Sequence, residues 1–166
     1  MYRRILRSLM AVMAALLLAG HASAAPQISL TVTAEKDVIE TDADGKQVVR
    51  RVNASDTAPG DVLFYTIRYR NSGDQAARNI QLDNPIPEGT AFQEGSAWGE
   101  GGEILYSIDG GKNFKKPSRL TYQVTGADGQ IEERRATPEQ YNAIRWTVEE
   151  VAPGSEGSAG FSVIVQ

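Results

Sequence analysis

The sequence predicts an all-β fold, an immunoglobulin-like antiparallel β-sandwich of about seven to nine strands. Apolar residues recur at every second position along much of the chain, which is typical of strands with one buried face. Turn sequences rich in Gly, Pro, Asn and Asp separate these segments at short intervals. No apolar stripe with helical spacing competes with them, and strands in this arrangement favour two packed antiparallel sheets.

The first 24 residues have the three parts of a secretory signal peptide. Arginines near the start precede an apolar run from Leu9 to Ala19, and the small residues Ala22-Ser23-Ala24 precede the predicted cleavage site. The apolar run is shorter than the roughly 20 residues that a membrane-spanning helix needs. We therefore expect residues 25–166 to form a single exported domain, periplasmic or extracellular, with no stable membrane insertion after cleavage.

Composition excludes most familiar enzyme designs. Removing residues 1–24 removes the only histidine, His21, and leaves 14 of the 17 basic side chains against 21 acidic ones, in a chain without cysteine. The exported chain then has no thiol nucleophile, no disulfide, no Cys/His zinc site and no Ser-His-Asp triad. Its acidic surface repels phosphate backbones. These exclusions leave a non-catalytic module or carboxylate chemistry. A domain this small has little room for a deep cleft, so we predict no enzymatic activity, and we also predict no cofactor and no nucleic-acid ligand.

The first strands form a predicted hairpin. From Gln27 to Ala34, Ile, Leu and Val alternate with Ser and Thr, and Val38-Ile39 continue the extended chain. The segment Thr41-Asp42-Ala43-Asp44-Gly45 ends in Asp-Gly, which is a strong hairpin-turn signal. Gln47 to Val52 is then the returning strand.

The clearest predicted strand runs from Val62 to Arg70. One of its faces is apolar and contains Leu63, Tyr65, Ile67 and Tyr69. We expect this face to line the core between the sheets, where Tyr65 and Ile67 pack with three apolar residues of other strands, Leu82, Trp146 and Phe161.

The later strands follow the same pattern. After a turn at Asn71-Ser72-Gly73-Asp74, a strand is predicted from Arg78 to Asp83. Pro85 and Pro87 then mark a sheet edge or a crossing between sheets, because proline has no ladder donor. Thr137-Pro138-Glu139-Gln140 predicts one helical turn with a capping box. The remaining predicted strands are Gly89–Phe92, Ile104–Ile108, Leu120–Val124, Ile144–Val148 and Phe161–Val165.

Several of these segments resemble one known family. In chain order they are Pro59-Gly60-Asp61-Val62, Tyr65-Thr66-Ile67, Asn71-Ser72-Gly73-Asp74, Asp83 with Pro87 and Gly89, Ile144-Arg145-Trp146 and Pro153-Gly154. This order is similar to that of the bacterial conserved-repeat family known as domain of unknown function eleven, over about residues 55–166. The resemblance implies an immunoglobulin-like module of secreted or cell-surface proteins. In physical terms, we expect Gly60, Gly73 and Gly89 of these segments to supply turn conformations.

Two short motifs have both a chemical and a structural interpretation. The segment from Ser107 to Phe114 resembles the Asp-box hairpin of sialidases, in which the Asp shapes a turn. Glu40, Asp42 and Asp44 could converge on Ca²⁺, but the spacing of an EF-hand loop is absent. We interpret both motifs as turns. A weak calcium site near Asp42 and Asp44 stays open.

The Gly-rich segment from Gln93 to Gly102 is predicted to be a loop. It contains Trp98 between small residues, with Glu94 and Glu100 on either side in sequence. We single out these three residues as candidate partner contacts, because an exposed tryptophan is typical of binding anchors. Two alternatives are open. Trp98 could instead fold back as a lid over the core, or it could bind a carbohydrate together with neighbouring acids.

These observations favour a non-catalytic structural or protein-interaction module of the bacterial envelope. Its expected partner is an envelope or surface protein that contacts a sheet edge or the Gly-rich segment. Three basic pairs, Arg50-Arg51, Lys115-Lys116 and Arg134-Arg135, are interpreted as solvated edges that discourage strand addition. A small carbohydrate-binding or carbohydrate-active protein is the alternative function.

Overall fold

A computed structural model describes residues 25–166, so the predicted signal peptide lies outside the described residues. The described chain contains eleven strands. In chain order they are β1 (Ile28–Thr41), β2 (Gln47–Asn53), β3 (Val62–Asn71), β4 (Ala77–Pro85), β5 (Thr90–Phe92), β6 (Trp98–Gly99), β7 (Ile104–Ser107), β8 (Thr121–Thr125), β9 (Ile131–Arg135), β10 (Ala143–Val151) and β11 (Glu156–Val165). Two short 3-10 turns, Pro117–Arg119 and Pro138–Gln140, complete the secondary structure. None of the helical segments between residues 25 and 166 has the length and apolar character needed to cross a membrane.

The strands form two main antiparallel sheets of unequal width. The larger sheet has the order β2-β1-β3-β11-β5, and β6 pairs with another part of β11. The smaller sheet has the order β4-β10-β7, and β8 pairs with β9 in a separate hairpin. The predicted all-β antiparallel sandwich is therefore confirmed, with eleven strands instead of seven to nine. The additional strands include β6, within the predicted loop, and β9, which the sequence pattern did not indicate.

The core lies between the two sheets and is rich in aromatic residues. Trp146 is only 2% exposed, and the rings of Tyr65 and Phe161 stack with their centroids 5.0 Å apart. Ile67 and Leu82 are buried in the same cluster. The predicted inward face of β3 and the predicted role of Trp146 are therefore confirmed.

Asn71 joins the sheets at one end of the sandwich. Its side-chain amide donates to the carbonyls of Gln75 (2.7 Å) and Val151 (2.9 Å), and its Oδ1 accepts from Gln27 N and Gly73 N. Gly73 does not have the positive φ expected of it. A Cβ at Gly73 would instead overlap the backbone at the start of the described chain, 2.6 Å from the nitrogen of Gln27. Glycine is required there because two chain segments pass each other at close range.

β1 is long enough to have different neighbours along its length. Residues 28–36 pair with β3, and residues 35–41 pair with β2. Beyond Lys36, β1 and β2 continue past the end of β3 as a two-stranded ribbon. Between Ile28 and Ala34, no described strand pairs with β1 on the side opposite to β3. This part of β1 is therefore an open sheet edge.

Candidate functional site

Trp98 lies on the outer face of the larger sheet, away from the core. It belongs to β6 and pairs with Gly160 of β11. A Cβ at Gly160 would lie 2.7 Å from two atoms of the indole ring, so the indole rests directly over this glycine. The side chain of Trp98 is 47% exposed. It therefore covers the sheet from outside and does not form the lid over the core that was considered as an alternative.

The core holds the backbone of β6 in place. The indole Nε1 of Trp146 donates a hydrogen bond of 2.9 Å to the carbonyl oxygen of Trp98. Gly99 faces inward, and a Cβ there would lie 2.8 Å from Cδ1 of Trp146. The absence of a side chain at Gly99 thus makes room for Trp146, as Gly160 makes room for Trp98. The position of the exposed indole is set by these contacts with the core and with β11.

A shallow groove runs beside Trp98 on this outer face. Phe64 forms part of the groove, and the guanidinium of Arg51 lies 3.6 Å from the centroid of the Phe64 ring. Arg51 also donates two hydrogen bonds, of 2.7 and 2.9 Å, to the carboxylate of Asp37. These bonds lower the pKa of Asp37 and raise that of Arg51. The cation is thus held over the aromatic ring, with two of its five N–H donors bonded to Asp37.

The polar groups at the other side of the groove are also engaged within the protein. Ser162 donates from its hydroxyl to Oε1 of Gln93 at 2.8 Å. The hydroxyl of Ser96 donates to the Gln93 carbonyl at 2.6 Å and accepts from the Ser162 amide at 3.0 Å. These bonds tie the start of the Gly-rich segment to β11, so the groove belongs to an ordered part of the fold.

The apolar surface continues from the groove onto the β1–β2 ribbon. Ile39 and Val49 are opposite each other in the ribbon, and they are 69% and 68% exposed. They lie on the same sheet face as the Asp37–Arg51 pair, because residues two apart on a strand point the same way. We call the surface formed by Trp98, Phe64, Arg51, Ile39 and Val49 the outer-face strip.

Glu94 and Glu100 do not join Trp98 in one site. Glu100 lines a different groove with Tyr69 and Glu156, and it adds to the effect of burial in raising the pKa of Tyr69. Glu94 acts on Tyr141 instead, whose pKa is raised by burial and then by Glu94. Neither acid lines the groove beside Trp98. Closeness in sequence therefore did not predict closeness in space for these candidate contacts.

The Asp-box-like segment is a hairpin turn. Oδ1 of Asp109 accepts hydrogen bonds from the amides of Lys112 and Asn113 and from the Ser107 hydroxyl, at 3.1, 2.9 and 2.7 Å. Oδ2 accepts from the side-chain amide of Asn113 at 2.6 Å. These donors hold the pKa of Asp109 far below its ordinary value. Every contact of this carboxylate stabilises the turn.

The acidic β1–β2 turn is also built from local bonds. Oδ1 of Asp42 accepts from the amides of Asp44 and Lys46, at 3.0 and 2.9 Å. Glu40 forms an ion pair with Arg50 at 3.3 Å. Within residues 25–166, no group of three or more acidic or histidine side chains is placed to hold a metal ion.

Comparisons with known proteins return no relatives. No family model matches the chain, and no match is found among curated proteins or solved structures. The resemblance to the conserved-repeat family therefore stays a prediction.

Proposed function

We propose that this chain is an exported, non-catalytic protein-interaction module of the bacterial envelope that binds its partner through the outer-face strip. The observation that carries the proposal is a half-exposed tryptophan, Trp98, held over Gly160 on the outside of a β-sheet. The predicted signal peptide and the resemblance to secreted modules support the location. The aromatic and aliphatic composition of the strip supports a role in binding a partner protein.

The strip has the properties of a binding anchor. Tryptophan, tyrosine and arginine are enriched among the residues that dominate protein–protein affinity, and here Trp98 and Arg51 line one groove together with Phe64. Ile39 and Val49 extend the apolar area. Exposed apolar patches of this kind mark interaction surfaces in soluble proteins. A partner that covered the strip would bury aromatic and aliphatic area with little rearrangement of the protein.

Carbohydrate binding is the second candidate function. Trp98 and Phe64 lie along one groove whose lining also includes Ser96, Thr66 and Ser162. Aromatic faces beside hydroxyl groups suit a sugar ring. In this case the ligand would be a soluble or wall-bound glycan, and Trp98 would stack on it.

Site-specific crosslinking tests the proposal. A photoreactive phenylalanine analogue replaces Val49 on the strip, or Ile131 of β9 in the matched control, which is equally exposed at 69%. We expect crosslinks to an envelope protein from position 49 and not from position 131. Adding Trp98→Ala should reduce the yield from position 49 by about tenfold or more, as expected for an anchor residue.

Two results would contradict this assignment. Equal crosslinking from positions 49 and 131 would show that the strip has no special role. Quenching of Trp98 fluorescence by an envelope glycan, without any protein crosslink, would favour the carbohydrate alternative.

A further inference from the structure

We propose that the open edge of β1, residues 28–33, accepts an added strand from a partner protein in which apolar residues alternate with acidic ones. This site is separate from the outer-face strip and uses backbone hydrogen bonds of the sheet. It extends the larger sheet beyond β1.

The backbone groups of this edge can be assigned from the bonds at its two ends. The carbonyl of Gln27 accepts from Ser72 N on the β3 side, whereas the carbonyl of Ala34 accepts from Ala54 N on the opposite side. Successive residues of a strand direct their N–H and C=O groups to alternate sides. Leu30 and Val32 therefore direct their backbone groups away from β3, where no strand of residues 25–166 pairs with them.

This edge lacks the usual protection against strand addition. The segment from Gln27 to Ala34 contains no charged residue and no proline. The other long edges are protected: β2 contains Arg50-Arg51, β4 ends at Pro85, and four of the five residues in β9 are charged. Proteins normally block exposed edges with charges or prolines, so an unprotected edge indicates a place where pairing is tolerated or required.

The inner face of β1 shows what the added strand must cover. Leu30 and Val32 are 55% and 51% exposed, although their partners across the ladder, Tyr69 and Ile67, are buried. The four residues point to the core side of the larger sheet. The three-stranded sheet is too narrow to cover β1. Apolar side chains on the inward positions of an added strand would shield Leu30 and Val32 from water.

The outer face supplies the charge complementarity. Ser29 and Thr31 are small, and their ladder partners on β3 are Arg70 and Arg68. Arg68 has no ion pair with any residue from 25 to 166, and Arg70 has only a 3.7 Å contact with Glu156 between exposed side chains. On the outer face, Arg70 and Arg68 are thus the charged side chains next to Ser29 and Thr31 of the open edge. Acidic residues at the outward positions of the added strand would reach them over Ser29 and Thr31.

Two acidic residues, Glu100 and Glu156, line the groove that also contains Arg68 and Arg70. Glu156 belongs to β11 and pairs with Arg70 from the side away from β1, so it lies farther from the edge than the two arginines. Along the rows that begin at Ser29 and Thr31, the arginines of β3 therefore come before Glu156 of β11 when counted from the open edge, which favours an acidic partner.

A second copy of the chain fits this edge less well. Antiparallel pairing of two β1 edges would place Ser and Thr opposite Ser and Thr on the outer face, leaving Arg68 without an acidic partner. A separate partner strand can supply the acidic residues that a second copy lacks at these positions.

A labelled peptide of about nine alternating Val and Glu residues, a length typical of natural strands, tests the inference by fluorescence anisotropy. A peptide that alternates Val and Lys is the charge control. Val32→Pro removes an N–H of the open edge while keeping the β3 ladder, and Val49→Pro makes the same change in β2. Arg68→Glu reverses the first charge met from the edge. Circular dichroism checks that each variant is folded.

We expect the Val/Glu peptide to bind and the Val/Lys peptide to bind at least about tenfold more weakly. Val32→Pro and Arg68→Glu should each weaken the Val/Glu complex by about tenfold or more, whereas Val49→Pro and Trp98→Ala should not. Amide exchange at Leu30 and Val32 should slow on binding, because these N–H groups enter the new ladder. Equal affinity for both peptides, an unchanged affinity of Val32→Pro, or no binding of Val/Glu would overturn the inference. So would a dimer that Val32→Pro converts to monomer.

Discussion

Replacing Trp146 tests whether the core is organised as described. The side chain is 2% exposed, and its ring centroid lies 6.0 Å from that of Phe161. Truncation to alanine would leave a cavity in a packed interior, and such changes cost about 3 to 5 kcal/mol. Single domains have a total stability of roughly 5 to 15 kcal/mol. We therefore expect Trp146→Ala to lose much of its stability.

A second variant separates the hydrogen bond from the volume. Trp146→Phe keeps an aromatic ring but removes the indole N–H that donates to the Trp98 carbonyl. Leaving a buried acceptor without its donor costs about 1 to 3 kcal/mol, and the part-buried Trp98 carbonyl places the expected loss toward the lower end of that range. The phenylalanine variant should therefore fold and be less destabilised than the alanine variant.

Urea unfolding followed by far-ultraviolet circular dichroism measures both losses. The chain contains two tryptophans, so Trp146→Phe leaves Trp98 as the only indole emitter and Trp98→Phe leaves Trp146. We expect acrylamide to quench Trp98 readily and Trp146 poorly. An alanine variant within about 1 kcal/mol of the unsubstituted protein, or equal quenching of the two indoles, would refute the packing described here.

Three other predictions follow from particular contacts. Gly160→Ala should destabilise the domain, because the new methyl group meets both the Trp98 indole and the carbonyl oxygen of Tyr65. Combining it with Trp98→Ala should cost less than the two single losses added together, since the clash with the indole is removed while the clash with the Tyr65 carbonyl remains; additive losses in the free energy of unfolding would contradict this. Asp109 has a depressed pKa in the folded state, so its stabilisation is complete above about pH 5 and is lost as pH falls through the folded-state value. Asp109→Asn should therefore be less stable near neutral pH, with a deficit that shrinks toward about pH 3; a deficit that is constant with pH would argue against the charged form. Intact mass of the envelope form should match a chain that begins after Ala24, and a mass that includes residues 1–24 would rule out cleavage.

Much of the fold could be predicted because the residues that form the core alternate with exposed residues along single strands. β3 is buried on one face along most of its length, so apolar residues recur at every second position and mark both the strand and its inner side. The β1–β2 turn at Asp44-Gly45 and the capped turn at Thr137 depend on a few adjacent residues. Such features need no knowledge of distant contacts.

The strands that were missed depend on contacts that no local pattern records. β6 has only two residues, and it is extended because it pairs with Gly160 and Ala159 far along the chain. All five residues of β9 are exposed, so the strand has no buried face and no apolar alternation. Gly73 was correctly identified as special, but for the wrong reason, since its neighbour in space is the N-terminal segment. The three candidate contacts show the same limit of local patterns. Trp98 lines the outer-face groove, whereas Glu94 and Glu100, although close to it in sequence, do not line that groove.

The contacts that hold Trp98 in place affect how a partner would be bound. The hydrogen bond from Trp146 and the pairing with β11 fix the backbone of residue 98, and Gly160 fixes the position of the indole. An anchor that is already ordered loses little conformational entropy on binding, so more of the contact energy is available for affinity. Trp146→Phe should therefore weaken partner binding although Trp146 itself is buried in the core. If the crosslinking yield from position 49 stayed unchanged in a folded Trp146→Phe variant, the ordered position of Trp98 would have no part in recognition.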